Sequence, residues 1–149
     1  MTTLARSILI QAPLEAIEAI TNDGRRMSEW FAGVTAAEPD DRYPEPGGQL
    51  KMTYQAAGFE FHITQTNITW EPGLGGTNRM DGPFRGTSQI AYQVEEEGTR
   101  VIFRMDYEVP GRGAGRIFDR LLVERRNARN LEESLRNLKR LVEREIAFA

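Results

Sequence analysis

Beyond Gly115 the chain runs to Ala149 without a proline or glycine. Apolar residues fall there at Ile117, Leu121, Ala128, Leu131, Leu135, Leu138 and Val142, stepping by threes and fours with one gap at Glu124. The spacing predicts a single amphipathic helix over roughly Gly115 to Phe148. Such a helix must lay its apolar stripe on an apolar surface supplied by the rest of the chain.

That surface reads as a sheet. Val34 to Glu38, Gln49 to Ala56, Glu60 to Trp70, Phe84 to Glu95 and Thr99 to Val109 are strand-like, and Asn78 to Asp81 supply one further short strand. The segments Pro44-Glu45-Pro46-Gly47-Gly48, Ala57-Gly58, Glu71-Pro72-Gly73 and Glu96-Glu97-Gly98 separate them, and connections this short make an antiparallel meander. In the last strand Val101, Phe103, Met105, Tyr107 and Val109 share one face, and Arg100, Arg104, Asp106 and Glu108 share the other. Burying the charged row would be prohibitive, so Phe103, Met105 and Tyr107 are expected inside.

Ahead of the meander, Leu4 to Gln11 alternate as a strand, with Leu4, Ile8 and Ile10 on one face. Pro13 stands where a first helical turn tolerates proline, and Leu14, Ile17 and Ile20 recur at helical spacing through Thr21. After the turn Asn22-Asp23-Gly24, residues Arg25 to Phe31 read as a second short helix.

These elements amount to an α+β domain over residues 1–149, in which a curved antiparallel sheet of about seven strands wraps a long C-terminal helix. A helix about 10 Å wide cannot cover the concave face of such a sheet, so an apolar cavity is expected between the two. At 149 residues the chain is one domain in size, and it would bury roughly two thirds of its unfolded surface.

Composition narrows the chemistry. The absence of cysteine removes disulfides, cysteine zinc sites and thiolate nucleophiles together. A single histidine, His62, leaves no histidine cluster for a metal, and no cofactor is expected. Net charge is −3 with the signs interspersed, which argues against nucleic acid as a partner. The six arginines from Arg112 to Arg129 would spread around a polar helix face. No segment approaches about 20 apolar residues, so no integral membrane segment is expected. The reading is of a cytoplasmic protein, a monomer or homodimer.

Several local marks occur in order along the whole chain. Ile8-Leu9-Ile10-Gln11-Ala12-Pro13 runs straight into Leu14-Glu15-Ala16-Ile17, and Ser28-Glu29-Trp30 follows the Thr21-Asn22-Asp23 turn. Pro46-Gly47-Gly48, Glu71-Pro72, Gly98-Thr99-Arg100-Val101 and Asn137-Leu138-Lys139-Arg140 complete the set, with Glu143 after them. With the element order, they make the chain resemble the START-like helix-grip (SRPBCC) superfamily, in particular bacterial polyketide cyclase/dehydrase and lipid-transport-like proteins. The resemblance implies the helix-grip fold. It does not choose an activity, because ligand carriers, cyclases, co-chaperones and coenzyme-Q-binding proteins share that fold.

The residues expected to line the cavity are Tyr54, Phe61, Tyr92, Phe103, Met105, Tyr107, Leu121, Glu124 and Ala128. Glu124 stands where the helical stripe asks for an apolar residue. It would be paired with an arginine, turned into a polar part of the cavity as an acid or base, or rotated to the edge to meet solvent or Arg120. His62 and Tyr107 are the other proton-transfer candidates, although inward-facing Phe61 and Ile63 would turn His62 to solvent. Three functions follow: binding of a small hydrophobic molecule as carrier or sensor, acid/base cyclisation or dehydration of a polyketide-like substrate, and co-chaperone-type protein interaction. The first is favoured, because the sequence brings no acid/base pair together.

Overall fold

The computed structural model describes residues 1–56, 58–108 and 120–148, except for the side chain of Arg120. Among them the strands are β1 (Thr2–Ile10), β2 (Val34–Pro39), β3 (Gln49–Ala56), β4 (Phe59–Glu71), β5 (Gly75–Asp81), β6 (Arg85–Glu95) and β7 (Gly98–Glu108). They form one antiparallel sheet in the order β1-β7-β6-β5-β4-β3-β2. From β2 to β7 each strand pairs with the next, as the short turns require. Between β1 and β2 the chain crosses from one sheet edge to the other through α1 (Leu14–Thr21), a 3-10 turn at Gly24–Arg26 and α2 (Met27–Trp30).

The strand period sorts the faces as expected. On β3 Leu50, Met52, Tyr54 and Ala56 are buried, and on β7 Phe103 and Tyr107 are buried while Arg104 is exposed. β5 is longer than the Asn78 to Asp81 strand expected, because Gly75 and Gly76 carry no alternation and yet pair with β4 and β6. Gly75 has φ +114°, and a Cβ there would lie 2.0 Å from the Ile90 carbonyl oxygen, so only glycine permits that approach. Val109 lies outside the described residues.

The long helix, α3, is described over Arg120–Ala147, and residues 115–119 of the expected span lie outside the description. Its buried face comprises Val123, Asn127, Asn130, Leu131, Ser134, Leu135, Leu138, Leu141 and Val142. Leu121, expected on this face, is instead 54% exposed. At 100° per residue it falls roughly a third of a turn from a face centred on Asn127, Leu131, Ser134 and Leu138. Ser134 and Asn137 tie the helix to the α2–β2 connection: Ala32 N donates to Ser134 Oγ at 2.7 Å, and Asn137 Nδ2 donates to the Trp30 carbonyl at 3.2 Å. No helix among the described residues is long and apolar enough to cross a membrane.

Candidate ligand cavity

The buried face of α3 changes character along its length. From Leu135 onward it is aliphatic, whereas Asn127, Asn130 and Ser134 make the preceding part polar, and through Asn127 this part borders the interior of the curled sheet. A cavity with about 40 Å³ of free space remains there. Four methionines line it, Met27 from α2, Met52 from β3, Met80 from β5 and Met105 from β7. Phe31, Phe84, Phe103, Val34 and Ile63 complete the apolar wall, and Tyr54, Gln65, Ser88 and Asn127 bring the polar atoms.

Aromatic rings pack in two groups, Phe31 with Trp30 and Phe103 in one and the rings around Phe84 in the other. Phe84, in the β5–β6 connection, packs edge-on against Phe61 at 4.8 Å and against Tyr54 and Tyr107 at 6.0 Å each. Tyr54 approaches Gly33 so closely that a Cβ there would meet its ring at 2.6 Å, and Gly33 has φ +95°. Glycine at this turn is what lets the tyrosine reach the helix.

A hydrogen-bond network then closes the helix side. Tyr54 Oη donates to Asn127 Oδ1 at 2.8 Å and accepts from Asn130 Nδ2 at 2.9 Å, while Asn127 Nδ2 donates to Tyr107 Oη at 3.1 Å. Tyr54 and Asn127 line the cavity, whereas Asn130 lines an open cleft of about 410 Å³ with Gly33, Gln55, Glu60 and Arg126. The network therefore stands between a polar cleft outside and an apolar space within.

Burial pushes the phenols of Tyr54 and Tyr43 up to about 12, and that of Tyr92 upward as well. An unfolded tyrosine ionises near pH 10, so above that pH the unfolded chain loses these protons before the folded one does. Stability fully present below about pH 10 should be lost as the pH rises toward 12. Denaturation midpoints across pH 8–12 test this. Full phenolate absorbance near pH 10 with native circular dichroism would refute it.

Of the residues expected to form the site, Tyr54, Phe103 and Met105 line the cavity. Phe61, Tyr92 and Tyr107 are buried in the surrounding core, and Ala128 packs half-buried against it. Leu121 points away, as its exposure requires. Glu124 is half-buried at the helix edge, where Thr2 Oγ1 donates to its Oε1 at 2.6 Å. His62 lies on the outer face of β4, 79% exposed and 3.7 Å from Glu60. Sequence reasoning missed Met27, Met52, Met80, Gln65, Ser88, Asn127 and Asn130. The strand positions among them carried a usable signal, since Met52 shares the register of Leu50 and Tyr54.

A half-barrel closed by a long helix over an internal cavity defines a helix-grip protein. The chain belongs to the polyketide cyclase / dehydrase and lipid transport family, whose model matches residues 1–143. Solved structures agree on the fold. The protein TTHA0849 from Thermus thermophilus is 22% identical, with a TM-score of 0.79 over 97% of this chain and 99% of that one. The Zhui aromatase/cyclase from a Streptomyces species is 11% identical, with a TM-score of 0.76 over 97% of this chain and 95% of that one. A Chromobacterium violaceum protein is 15% identical, with a TM-score of 0.73 over 96% of this chain and 99% of that one. No curated protein matches the chain significantly.

Proposed function

We propose that the protein reversibly binds a small apolar molecule in this cavity, as a carrier or sensor. The observation that carries the reading is the concentration of methionine. The chain has five, and all but Met1 converge on one cavity from four separate elements. Methionine is unbranched, with three rotatable bonds and a polarisable thioether, so a wall built from it can repack around guests of different shape. About 40 Å³ holds no more than a few water molecules, and a larger guest would enter by displacing these side chains.

Acid/base cyclisation, suggested by the family and by the aromatase/cyclase of the same fold, is the second reading. It is less favoured because no Asp, Glu, His, Lys or Arg is among the described residues lining the cavity. Tyr54, the one phenol there, is held neutral well above physiological pH.

Methionine methyl groups supply the test. In protein labelled with 13C at the methionine methyls, toluene should shift the resonances of Met27, Met52, Met80 and Met105. That of Met1, 76% exposed, should stay in place as an internal control. If saturating toluene leaves the four unmoved, the cavity is ordinary core and the proposal fails. If the four do shift, mass spectrometry of molecules retained through purification identifies the natural ligand class.

A further inference from the structure

The cavity wall is apolar except at a few atoms, and one of these has nothing to bond. Among the described residues the buried side-chain polar atoms without a partner are Trp30 Nε1, Asn67 Oδ1, Trp70 Nε1 and Ser88 Oγ. Of these residues only Ser88 lines the cavity, and it is 2% exposed. It stands on β6 opposite Met105 of β7, so its hydroxyl belongs to the sheet side of the space, across from the Tyr54–Asn127 bonds on the helix side. Gln65 of β4, 4% exposed, lies on the same sheet side. A buried hydroxyl without a partner destabilises the fold, and alanine would fill the same position at no such cost. The serine is therefore better explained by a partner that arrives with the ligand.

The remaining lining restricts that partner further. With no charged side chain among the described lining residues, an ionised ligand group would be buried unpaired, which is far more costly than burying a neutral one. A serine hydroxyl both donates and accepts, so it suits an oxygen of either kind.

We infer that the ligand is an apolar molecule carrying an uncharged hydroxyl or keto oxygen, and that Ser88 Oγ is the group that receives this oxygen. The inference rests on the binding proposal above and adds the ligand's polar chemistry to it.

Phenol and toluene differ by a hydroxyl in place of a methyl group and serve as the matched probes. Their affinities are read by the methionine-methyl titration for wild type, Ser88→Ala and Ser88→Thr. The preference for phenol relative to toluene should fall about 2–10-fold in Ser88→Ala, the worth of one net hydrogen bond, while toluene binds unchanged or more tightly. Ser88→Thr, which keeps the hydroxyl, should retain the wild-type ratio. Without ligand, Ser88→Ala should melt at or above the wild-type temperature, because it removes an unbonded polar group.

An unchanged phenol-to-toluene ratio in Ser88→Ala, with toluene still bound, would overturn the assignment of Ser88 and leave the binding proposal standing. If neither probe moves the four methyls of the wild type, both fail together. Loss of folding in Ser88→Ala would also overturn the inference, by showing that the hydroxyl is already engaged within the protein.

Discussion

Replacing Leu131 with alanine is expected to destabilise the protein by about 2–5 kcal/mol. Leu131 is fully buried at the centre of the α3 face, where the helix passes from its polar to its aliphatic half. Truncation loses the transfer free energy of the removed methyl groups and leaves a void that a packed interior fills only partly. For a chain of this length the melting temperature should fall by about 2–4 °C for each kcal/mol. Leu121→Ala provides the contrast, because that side chain is 54% exposed and its loss should cost about 1 kcal/mol or less. Chemical denaturation of both variants reads the difference. Equal losses would mean that α3 is rotated relative to the sheet as seen here.

Tyr54→Phe should be the next most damaging change, although it removes a single oxygen atom. The ring stays against Phe84, but Asn127 Oδ1 loses its donor and Asn130 Nδ2 its acceptor. Both asparagines are more than nine-tenths buried, and a buried polar group left without its partner costs about 1–3 kcal/mol. A double-mutant cycle with Asn130→Leu separates lost bonding from lost packing, and a coupling energy of about 0.5–3 kcal/mol is expected. Coupling indistinguishable from zero would show that the Tyr54–Asn130 bond contributes nothing to the folded state.

Leu121 and Val123 show where sequence patterning stops. A hydropathy stripe drawn through Ile117, Leu121, Ala128 and Leu131 assumes that polar residues face water. Asn127, Asn130 and Ser134 face inward, and they shift the true stripe by roughly a fifth of a turn, which is enough to carry Leu121 off it. The assumption is sound for a helix covering a dry core. It failed on the half of α3 whose amides and hydroxyl bond to Tyr54, Tyr107 and Ala32 N. β5 was undervalued for a related reason, since glycines at 75 and 76 have no side chain to alternate, and their strand is defined by the neighbours that pair with them.

What the amino-acid sequence determined alone is everything set by neighbours a few residues apart. The period-2 rows of β3, β4 and β7, the glycine and proline turns that join them as hairpins, and the 3.6-residue repeat of α3 are local properties. From them follow the helix-grip architecture, the outward His62 and the inward Phe103 and Tyr107. The cavity belongs to tertiary structure, because Met27, Met52, Met80 and Met105 are far apart in the chain and converge only when the sheet curls under the helix. The same closure gives Asn127 and Asn130 partners on distant strands and leaves Ser88 buried without one. A polar side chain carries no local mark of whether folding will give it water, a partner or an empty space, since that depends on atoms brought near it by the rest of the chain.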